Sequence, residues 1–171
     1  LYGAAKEYNE HQADIYRENY DLSLVGIRPT LVYGPYRKSG SASAYTRVIE
    51  GPARGEAVTV GPDDHVLDWQ HVEDAAQAFY AATVAQESAL SHAVYNACGE
   101  RATLGAVADL VREYLPNADI TLTNDDTVPW NHYMTMDAAR RDLGYEPTYD
   151  LRRGVKSYID VVRREAGLDP I

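Results

Sequence analysis

Residues 22–28 read LSLVGIR, and this stretch decides the fold class of the chain. The run is almost continuously apolar and has the length of a strand, which is typical of a parallel sheet covered on both faces. Residues 3–20 precede it with good helix formers, whose side chains return to one face at three- and four-residue steps. Because a helix that leads directly into a buried strand is half of a βαβ unit, these segments predict an α/β protein.

Short apolar runs and helical patterns continue to alternate downstream of this unit. Pro29 ends the predicted strand, Gly34-Pro35 forms a turn, and polar connections follow over residues 38–43 and 124–129. Further helices are predicted at about 44–52, 72–86 and 103–115 and after the possible N-caps Asp137 and Asp150, and short strands at 57–60, 94–96 and 120–122.

The apolar stripes of two helices predict which of their faces is buried. In the helix over 72–86 the stripe runs through Val72, Ala76, Phe79 and Ala82. In the last helix the side chains predicted to be buried are Leu151, Val155, Tyr158, Ile159 and Val162.

The composition limits the partners and the compartment. The 171 residues carry 16 basic and 26 acidic side chains, a formal charge of −10 at pH 7, so nucleic acid and anionic membranes would be repelled and a small-molecule substrate is expected. The single cysteine, Cys98, excludes an internal disulfide and favours a cytoplasmic protein. Because the sequence begins inside a helical pattern and without Met, we expect a piece of a longer chain.

Tyr2 and Lys6 stand four residues apart at the start of the first predicted helix. At this spacing their side chains share a face, and a cation beside a phenol favours the charged oxygen. Such a phenol suits an acid/base that exchanges a proton with a substrate hydroxyl while hydride moves at the same carbon. Two side chains on a solvated helix face would have the same spacing, so the pair alone leaves both interpretations open.

The segments that follow this pair occur in a characteristic order. They are RPTLVYGP at 28–35, GEAV at 55–58, DWQHVED at 68–74, VYNACG at 94–99 and DAARRDLGYEP at 137–147. The series resembles the extended short-chain dehydrogenase/reductases of the NAD-dependent epimerase/dehydratase kind over nearly the whole chain.

The resemblance implies the C-terminal part of a Rossmann-type doubly wound parallel sheet with a small α/β substrate-binding region. Residues 1–35 would end the dinucleotide-binding domain, and residues 36–171 would form mainly the substrate-binding region, with some segments returning to the Rossmann core. The cofactor would be NAD or NADP. The glycine-rich phosphate loop and a catalytic Ser or Thr would precede residue 1, so these 171 residues alone are expected to be inactive.

The resemblance also implies roles for individual residues and a homodimer formed through the helix over 2–20. Tyr2 would be the acid/base and Lys6 its activator, in contact with the cofactor as well. No metal is expected, since His71 lacks partner ligands at suitable spacing. The backbone beside the nicotinamide would be that of Pro29, Thr30 and Leu31, and the substrate side would include Tyr33, Arg37 and Arg47. For Tyr33 a plain turn, and for the two arginines a solvated loop, are the alternatives.

Two departures from the family pattern concern the substrate. Leu31 stands where members that act on nucleotide sugars often have Asn, and Leu67 stands where they often have Arg. The sequence therefore favours a smaller or less charged hydroxy or keto compound. Asp68 and Asp74 are expected to have structural roles. A non-catalytic dinucleotide-binding regulator of the same fold is the alternative function.

Overall fold

The computed structural model describes residues 1–37, 40, 42–124 and 133–171. Most of the connection predicted over 124–129, and Lys38, Ser39 and Ser41 of the loop at 38–43, lie outside the described residues. The α/β class is confirmed. The helices are α1 (Tyr2–Tyr20), α2 (Ser43–Ala53), α3 (Val72–Val84), α4 (Leu104–Tyr114), α5 (Asp137–Leu143) and α6 (Leu151–Glu165), and the strands are β1 (Gly26–Pro29), β2 (Leu31–Tyr33), β3 (Val58–Val60), β4 (Val66–His71), β5 (Val94–Ala97), β6 (Glu100–Thr103) and β7 (Ile120–Leu122).

The described strands form three small sheets. β1 pairs in parallel with β5, and β3 pairs in parallel with β7. The third sheet has the order β2-β4-β6, in which β4 is parallel to β2 and antiparallel to β6. Parallel pairing of strands separated by helices is the arrangement that the βαβ pattern predicted.

The strand predicted over 22–28 is shorter and more exposed than its composition indicates. β1 begins only at Gly26, and Leu22 and Leu24 are 47% and 37% exposed. Within the described residues β1 has β5 as its hydrogen-bonded neighbour on one side alone. Within the described residues this strand is parallel to β5, as predicted, and is less covered than its apolar composition indicates.

Strands β2, β4 and β6 have no counterpart among the predicted elements. β4 is buried along most of its length although it contains Asp68, Gln70 and His71. These polar side chains interrupt the apolar pattern that identifies a buried strand from sequence. Asp68, Gln70 and the Nδ1 atom of His71 have hydrogen-bond partners inside the protein, which offsets the cost of their burial, whereas the buried Nε2 atom of His71 has none among the described residues.

The larger core lies between α2, α4, α6 and the sheets β2-β4-β6 and β3-β7. All five α6 residues predicted to be buried are buried, and Asp150 caps this helix by accepting a hydrogen bond from the Arg153 backbone N–H at 2.7 Å. In α3 the predicted face is wrong. Ala75 and Ala78 are buried, whereas Phe79 is 51% exposed, because the packed side of the helix is rotated from the predicted stripe toward Asp74 and Ala78.

Helix α1 differs from the other long helices in that it has no buried side chain. Its hydrogen bonds to the rest of the described chain come from Arg17, which donates to the Leu24 carbonyl, and from Glu10, which accepts from Arg28. No helix within residues 1–37, 40, 42–124 and 133–171 is both long enough and apolar enough to cross a membrane.

Candidate active site

A cleft of about 840 Å³ separates α1 from the strands β1 and β2. Tyr2, Gly3 and Lys6 line it from the helix, and Pro29 and the two residues after it line it from the junction of the two strands. Five of the residues expected at the active site and cofactor site therefore face one space. They are Tyr2, Lys6, Pro29, Thr30 and Leu31.

The Tyr2 and Lys6 side chains are in contact, as their spacing predicts. The Lys6 Nζ atom lies 5.3 Å from the centroid of the Tyr2 ring, in a cation–π arrangement. Tyr2 is 78% exposed, so its hydroxyl is accessible from the cleft. The pair thus combines an accessible phenol with a positive charge one helical turn away.

The strand junction opposite α1 is held by a hydrogen-bond network that reaches into the core. The Thr30 hydroxyl donates to Asp68 Oδ1 at 2.8 Å, and the Thr30 backbone N–H donates to Gln70 Oε1 at 3.3 Å. The backbone N–H of Gly99 donates to the same Asp68 oxygen at 2.7 Å. Asp68 therefore orients Thr30 at the cleft from beneath, and its predicted structural role is confirmed.

Asp74 also has the structural role predicted for it. Its carboxylate is 1% exposed and accepts hydrogen bonds from the backbone N–H and hydroxyl of Thr148, at 2.8 and 2.9 Å, and from the Tyr149 backbone N–H at 3.0 Å. These bonds join the first turn of α3 to the segment that enters α6.

His71 is a packed histidine, as expected. Its Nδ1 atom accepts from the Glu73 backbone N–H at 3.3 Å and so caps α3, while its ring stacks on Tyr149 with centroids 3.9 Å apart. Burial lowers the pKa of His71, which favours the neutral ring that the cap requires. No group of three or more potential metal ligands occurs among the described residues.

The structure does not place Tyr33 and Arg47 at the cleft. Tyr33 is 1% exposed, and a Cβ atom built on Gly154 of α6 would lie 1.9 Å from its hydroxyl, so the phenol fills the core against that glycine. Burial raises the pKa of Tyr33 well above its ordinary value. Arg47 is exposed on α2 and is not among the cleft-lining residues. The expected substrate contacts of these two residues are therefore not supported, whereas Arg37 does line the cleft.

Several cleft-lining residues were not singled out from the sequence. Glu10, Ala13 and Arg17 continue the face of α1 that begins with Tyr2 and Lys6, at steps of four, three and four residues after Lys6. Helical periodicity extended from the YxxxK pair identifies them. Phe79 and Val94 contribute through tertiary packing, and no local signal marks them.

The cleft residues suit the nicotinamide end of a dinucleotide. Ile27 and Phe79 supply apolar surface of the kind that receives a flat ring, and the Lys6 ammonium could donate to ribose hydroxyls. The thiol of Cys98 is excluded as a reactive group, because burial raises its pKa to about 12. The donor set and the apolar surface therefore fit such a cofactor.

Solved structures share this fold. A monomeric L-threonine 3-dehydrogenase from a metagenome superposes with a TM-score of 0.88 at 20% identity, covering 96% of this chain and 56% of its own. The UDP-glucose 4-epimerase of Thermotoga maritima, solved with UDP-glucose, superposes with a TM-score of 0.80 at 24% identity, covering 96% and 53%. At these identities the likeness confirms the Rossmann-type fold and nothing finer.

Relatives in sequence are longer proteins. The chain is 27% identical to UDP-glucuronate 4-epimerase 4 of Arabidopsis thaliana over 93% of its own length and 40% of the relative's. It is also 27% identical to the dTDP-glucose 4,6-dehydratase of Shigella flexneri, over 93% of its length and 46% of that protein. The chain thus spans less than half the length of these curated relatives.

A family model gives the assignment. The model described as the NAD dependent epimerase/dehydratase family matches residues 1–98, which is more than half of the chain and includes both walls of the cleft. This match confirms the resemblance that the ordered motifs indicated and the expectation of a nicotinamide dinucleotide, with NAD the form in the family's description. The chain therefore belongs to the NAD dependent epimerase/dehydratase family.

Proposed function

We propose that the complete protein is an NAD(P)-dependent oxidoreductase or epimerase that acts on a hydroxyl or keto carbon of a small molecule. Tyr2 is the acid/base, and Lys6 is its activator. One observation carries this proposal: the Tyr2–Lys6 pair, in contact at 5.3 Å, faces the backbone of Pro29–Leu31 across one cleft in a chain of this family.

The chain's own residues handle the proton and position the reactants. Tyr2, exposed to the cleft, takes the proton from a substrate hydroxyl and returns it in the reverse direction. The charge that develops on its oxygen lies one turn from the Lys6 ammonium, which stabilises it. A bound dinucleotide would supply the hydride chemistry, and Lys6 would hold it through its ribose hydroxyls.

The β1–β2 junction acts as a rigid wall in this proposal. Gln70 and Asp68 hold the backbone and hydroxyl of Thr30 from the core side, so that Pro29, Thr30 and Leu31 keep a fixed position beside the nicotinamide. A wall fixed by buried hydrogen bonds preserves the alignment on which the rate of a bimolecular step depends.

Replacement of Tyr2 by Phe in the complete protein tests the acid/base role. Loss of a general acid/base costs roughly 10²- to 10⁴-fold in turnover, so kcat is expected to fall by this factor while dinucleotide binding persists. Tyr8→Phe is the matched control, since Tyr8 is exposed on the same helix and does not line the cleft. Turnover of Tyr2→Phe close to the wild-type rate would remove Tyr2 from the mechanism. Dinucleotide binding by a wild-type protein without any turnover would favour the regulator instead.

We further propose that the protein forms a homodimer through α1. Ile15 and Tyr16 are 56% and 49% exposed on this helix, and the Tyr16 ring packs against Tyr20 of the same helix with centroids 5.3 Å apart. Apolar side chains on an uncovered helix face are suited to pack against a second copy. Sedimentation of the complete protein is expected to show a dimer that Ile15→Asp dissociates, and a monomer for the wild type would refute this interface.

A further inference from the structure

The cations that line the cleft differ in whether their charge is compensated. The described lining residues include Lys6, Arg17, Arg28 and Arg37. Arg17 forms an ion pair with Asp14, and Arg28 binds Glu10 through two of its nitrogens. Lys6 and Arg37 have no carboxylate partner among the described residues, and Lys6 lies against the Tyr2 ring. Arg37 is therefore the guanidinium of the described cleft that remains available to an anion.

The Arg37 side chain is anchored without being neutralised. Its Nη1 atom donates to the Val32 carbonyl at 2.8 Å, a contact that joins the loop after β2 to that strand. Its Nε atom is buried and has no hydrogen-bond partner in the described part of the chain. An anchored guanidinium presents its remaining donors in a fixed fork, which matches the two oxygens of a carboxylate.

The start of α2 adds positive potential to the same cleft. Ala42, the N-cap of this helix, lines the cleft, forms no side-chain cap, and is followed by a first turn without an acidic residue. A helix amino terminus carries a partial positive charge that favours a nearby anion. This contribution reinforces the Arg37 guanidinium but would not by itself define a site.

We propose that Arg37 determines specificity by binding one carboxylate of the substrate, which is accordingly a small hydroxy or keto acid. The inference rests on the proposed function, since it names the substrate of that site. A diphosphate would call for more than one uncompensated cation at the ligand, whereas Lys6 is assigned to Tyr2 in the proposed function, which leaves Arg37 among the described cleft residues. Leu31 and Leu67 are 3% and 2% exposed, and Leu67 does not line the cleft.

Steady-state kinetics on the complete protein with saturating NAD test the assignment. The probes are short 2- and 3-hydroxy acids, each paired with its uncharged primary amide. Wild-type enzyme is expected to prefer the acids. Arg37→Gln should raise KM for the acids about 10- to 100-fold, the usual worth of a charged hydrogen bond, and abolish the preference, with kcat little changed. Arg37→Lys should retain part of the preference for the acids over their amides. Arg47→Gln, which changes an exposed arginine outside the cleft, should match the wild type.

The other outcomes overturn the assignment. Equal turnover of acids and amides, or turnover of a UDP- or dTDP-sugar but of none of the acids, rejects a carboxylate at Arg37 while the proposed function stands. Turnover of monophosphate esters in preference to the acids identifies phosphate as the anion and likewise rejects the carboxylate. Failure of the proposed function is distinguishable, because Tyr2→Phe would then turn over substrate normally. Calorimetric titration with the acids still measures the Arg37 contact in that case, and a Kd that Arg37→Gln leaves unchanged would also reject it.

Discussion

Helix α1 and helix α6 contain similar proportions of apolar residues but have opposite environments. α6 buries Leu151, Val155, Tyr158 and two further residues in the main core, whereas α1 buries none of its 19 residues. The four tyrosines of α1 are exposed and Tyr2 among them lines the cleft, whereas Tyr158 of α6 is buried and its hydroxyl donates to Glu50 of α2. The comparison separates two tasks: the α2, α4 and α6 side of the molecule supplies stability, and α1 with the β1–β2 junction supplies accessible chemical groups.

Truncation of matched isoleucines should give the largest difference between the two regions. Ile159 of α6 is 0% exposed and Ile15 of α1 is 56% exposed. Ile159→Ala should lower the free energy of unfolding by about 2 to 5 kcal/mol, since it removes buried surface and leaves a cavity, and Ile15→Ala should change it by less than about 0.5 kcal/mol. Urea unfolding of the two variants measures both values. Equal losses would show that α1 is as well packed as α6.

Alanine substitutions of a buried aspartate, Asp74, and a partly exposed one, Asp14, give a second comparison of stability. Asp74→Ala leaves the N–H and hydroxyl donors of Thr148 and Tyr149 without their acceptor, at about 1 to 3 kcal/mol for a buried unsatisfied donor. Asp14→Ala removes a partly exposed ion pair with Arg17 in α1, a kind of contact worth about 0 to 1 kcal/mol. In thermal unfolding, the Tm of Asp74→Ala should be well below that of Asp14→Ala. The reverse order would contradict the structural role of Asp74.

Alanine substitution of two glycines should act in opposite directions. A Cβ atom on Gly99 would lie 2.0 Å from the Trp69 carbonyl oxygen, so Gly99→Ala forces β4 and the residues that pair with it apart and should cost about 1 to 3 kcal/mol. A Cβ atom on Gly3 of α1 meets nothing within 4 Å, so Gly3→Ala should stabilise the helix by up to about 1 kcal/mol. Chemical denaturation distinguishes these signs. Destabilisation by Gly3→Ala would show that the cleft face of α1 is covered.

The ion pair that ties α1 to β1 should give the smallest effect, and one that depends on pH. Arg28 donates two hydrogen bonds to Glu10, and this contact holds the pKa of Glu10 below its ordinary value. A lowered folded-state pKa means that the stabilisation is present above the ordinary value of about 4.5 and is lost as the pH falls through the folded value. Because Arg28 is half exposed, the pair is worth no more than about 1 kcal/mol.

The variant Glu10→Gln isolates this contribution. Its unfolding free energy should lie slightly below that of the wild type at pH 7, and the two should converge as the pH falls through the lowered pKa of the folded-state Glu10 carboxyl. Gln12→Glu is a control that changes charge on the same helix without touching the pair. A difference between Glu10→Gln and wild type that does not change as the pH is lowered from 7 would show that the effect does not arise from the ion pair.

The sequence predicted helices better than strands, for a reason visible in particular elements. α4 and α6 repeat their apolar residues over three or more turns, so each helix contains enough positions to define its buried face. β2 and β4 are short, and β4 contains Asp68, Gln70 and His71, whose partners lie 31 to 75 residues away or at the start of the next helix. A strand whose polar groups are satisfied by distant residues has no local signature.

For the candidate site, the sequence predicted which residues lie at the cleft when they share one helix face or follow one proline. Tyr2 and Lys6 touch because a four-residue step returns to the same helix face, and Pro29–Leu31 mark the junction of two strands. Tyr33 and Arg47, expected on the substrate side, do not line the cleft: Tyr33 is buried in the core and Arg47 is exposed on α2. The Gly154 contact that encloses Tyr33 comes from the last helix of the chain.

The order of the motifs, the alternation of helices and strands, and the proximity of a phenol to an ammonium followed from the amino-acid sequence alone, because these properties depend on spacing within single elements. Tertiary structure alone decided which faces are covered. It left α1 and the outer side of β1 exposed, buried the polar strand β4, enclosed Tyr33 and left Arg37 in the cleft without a carboxylate partner among the described residues. Burial and charge compensation depend on contacts with residues that are distant in sequence, and local sequence patterns do not predict these contacts.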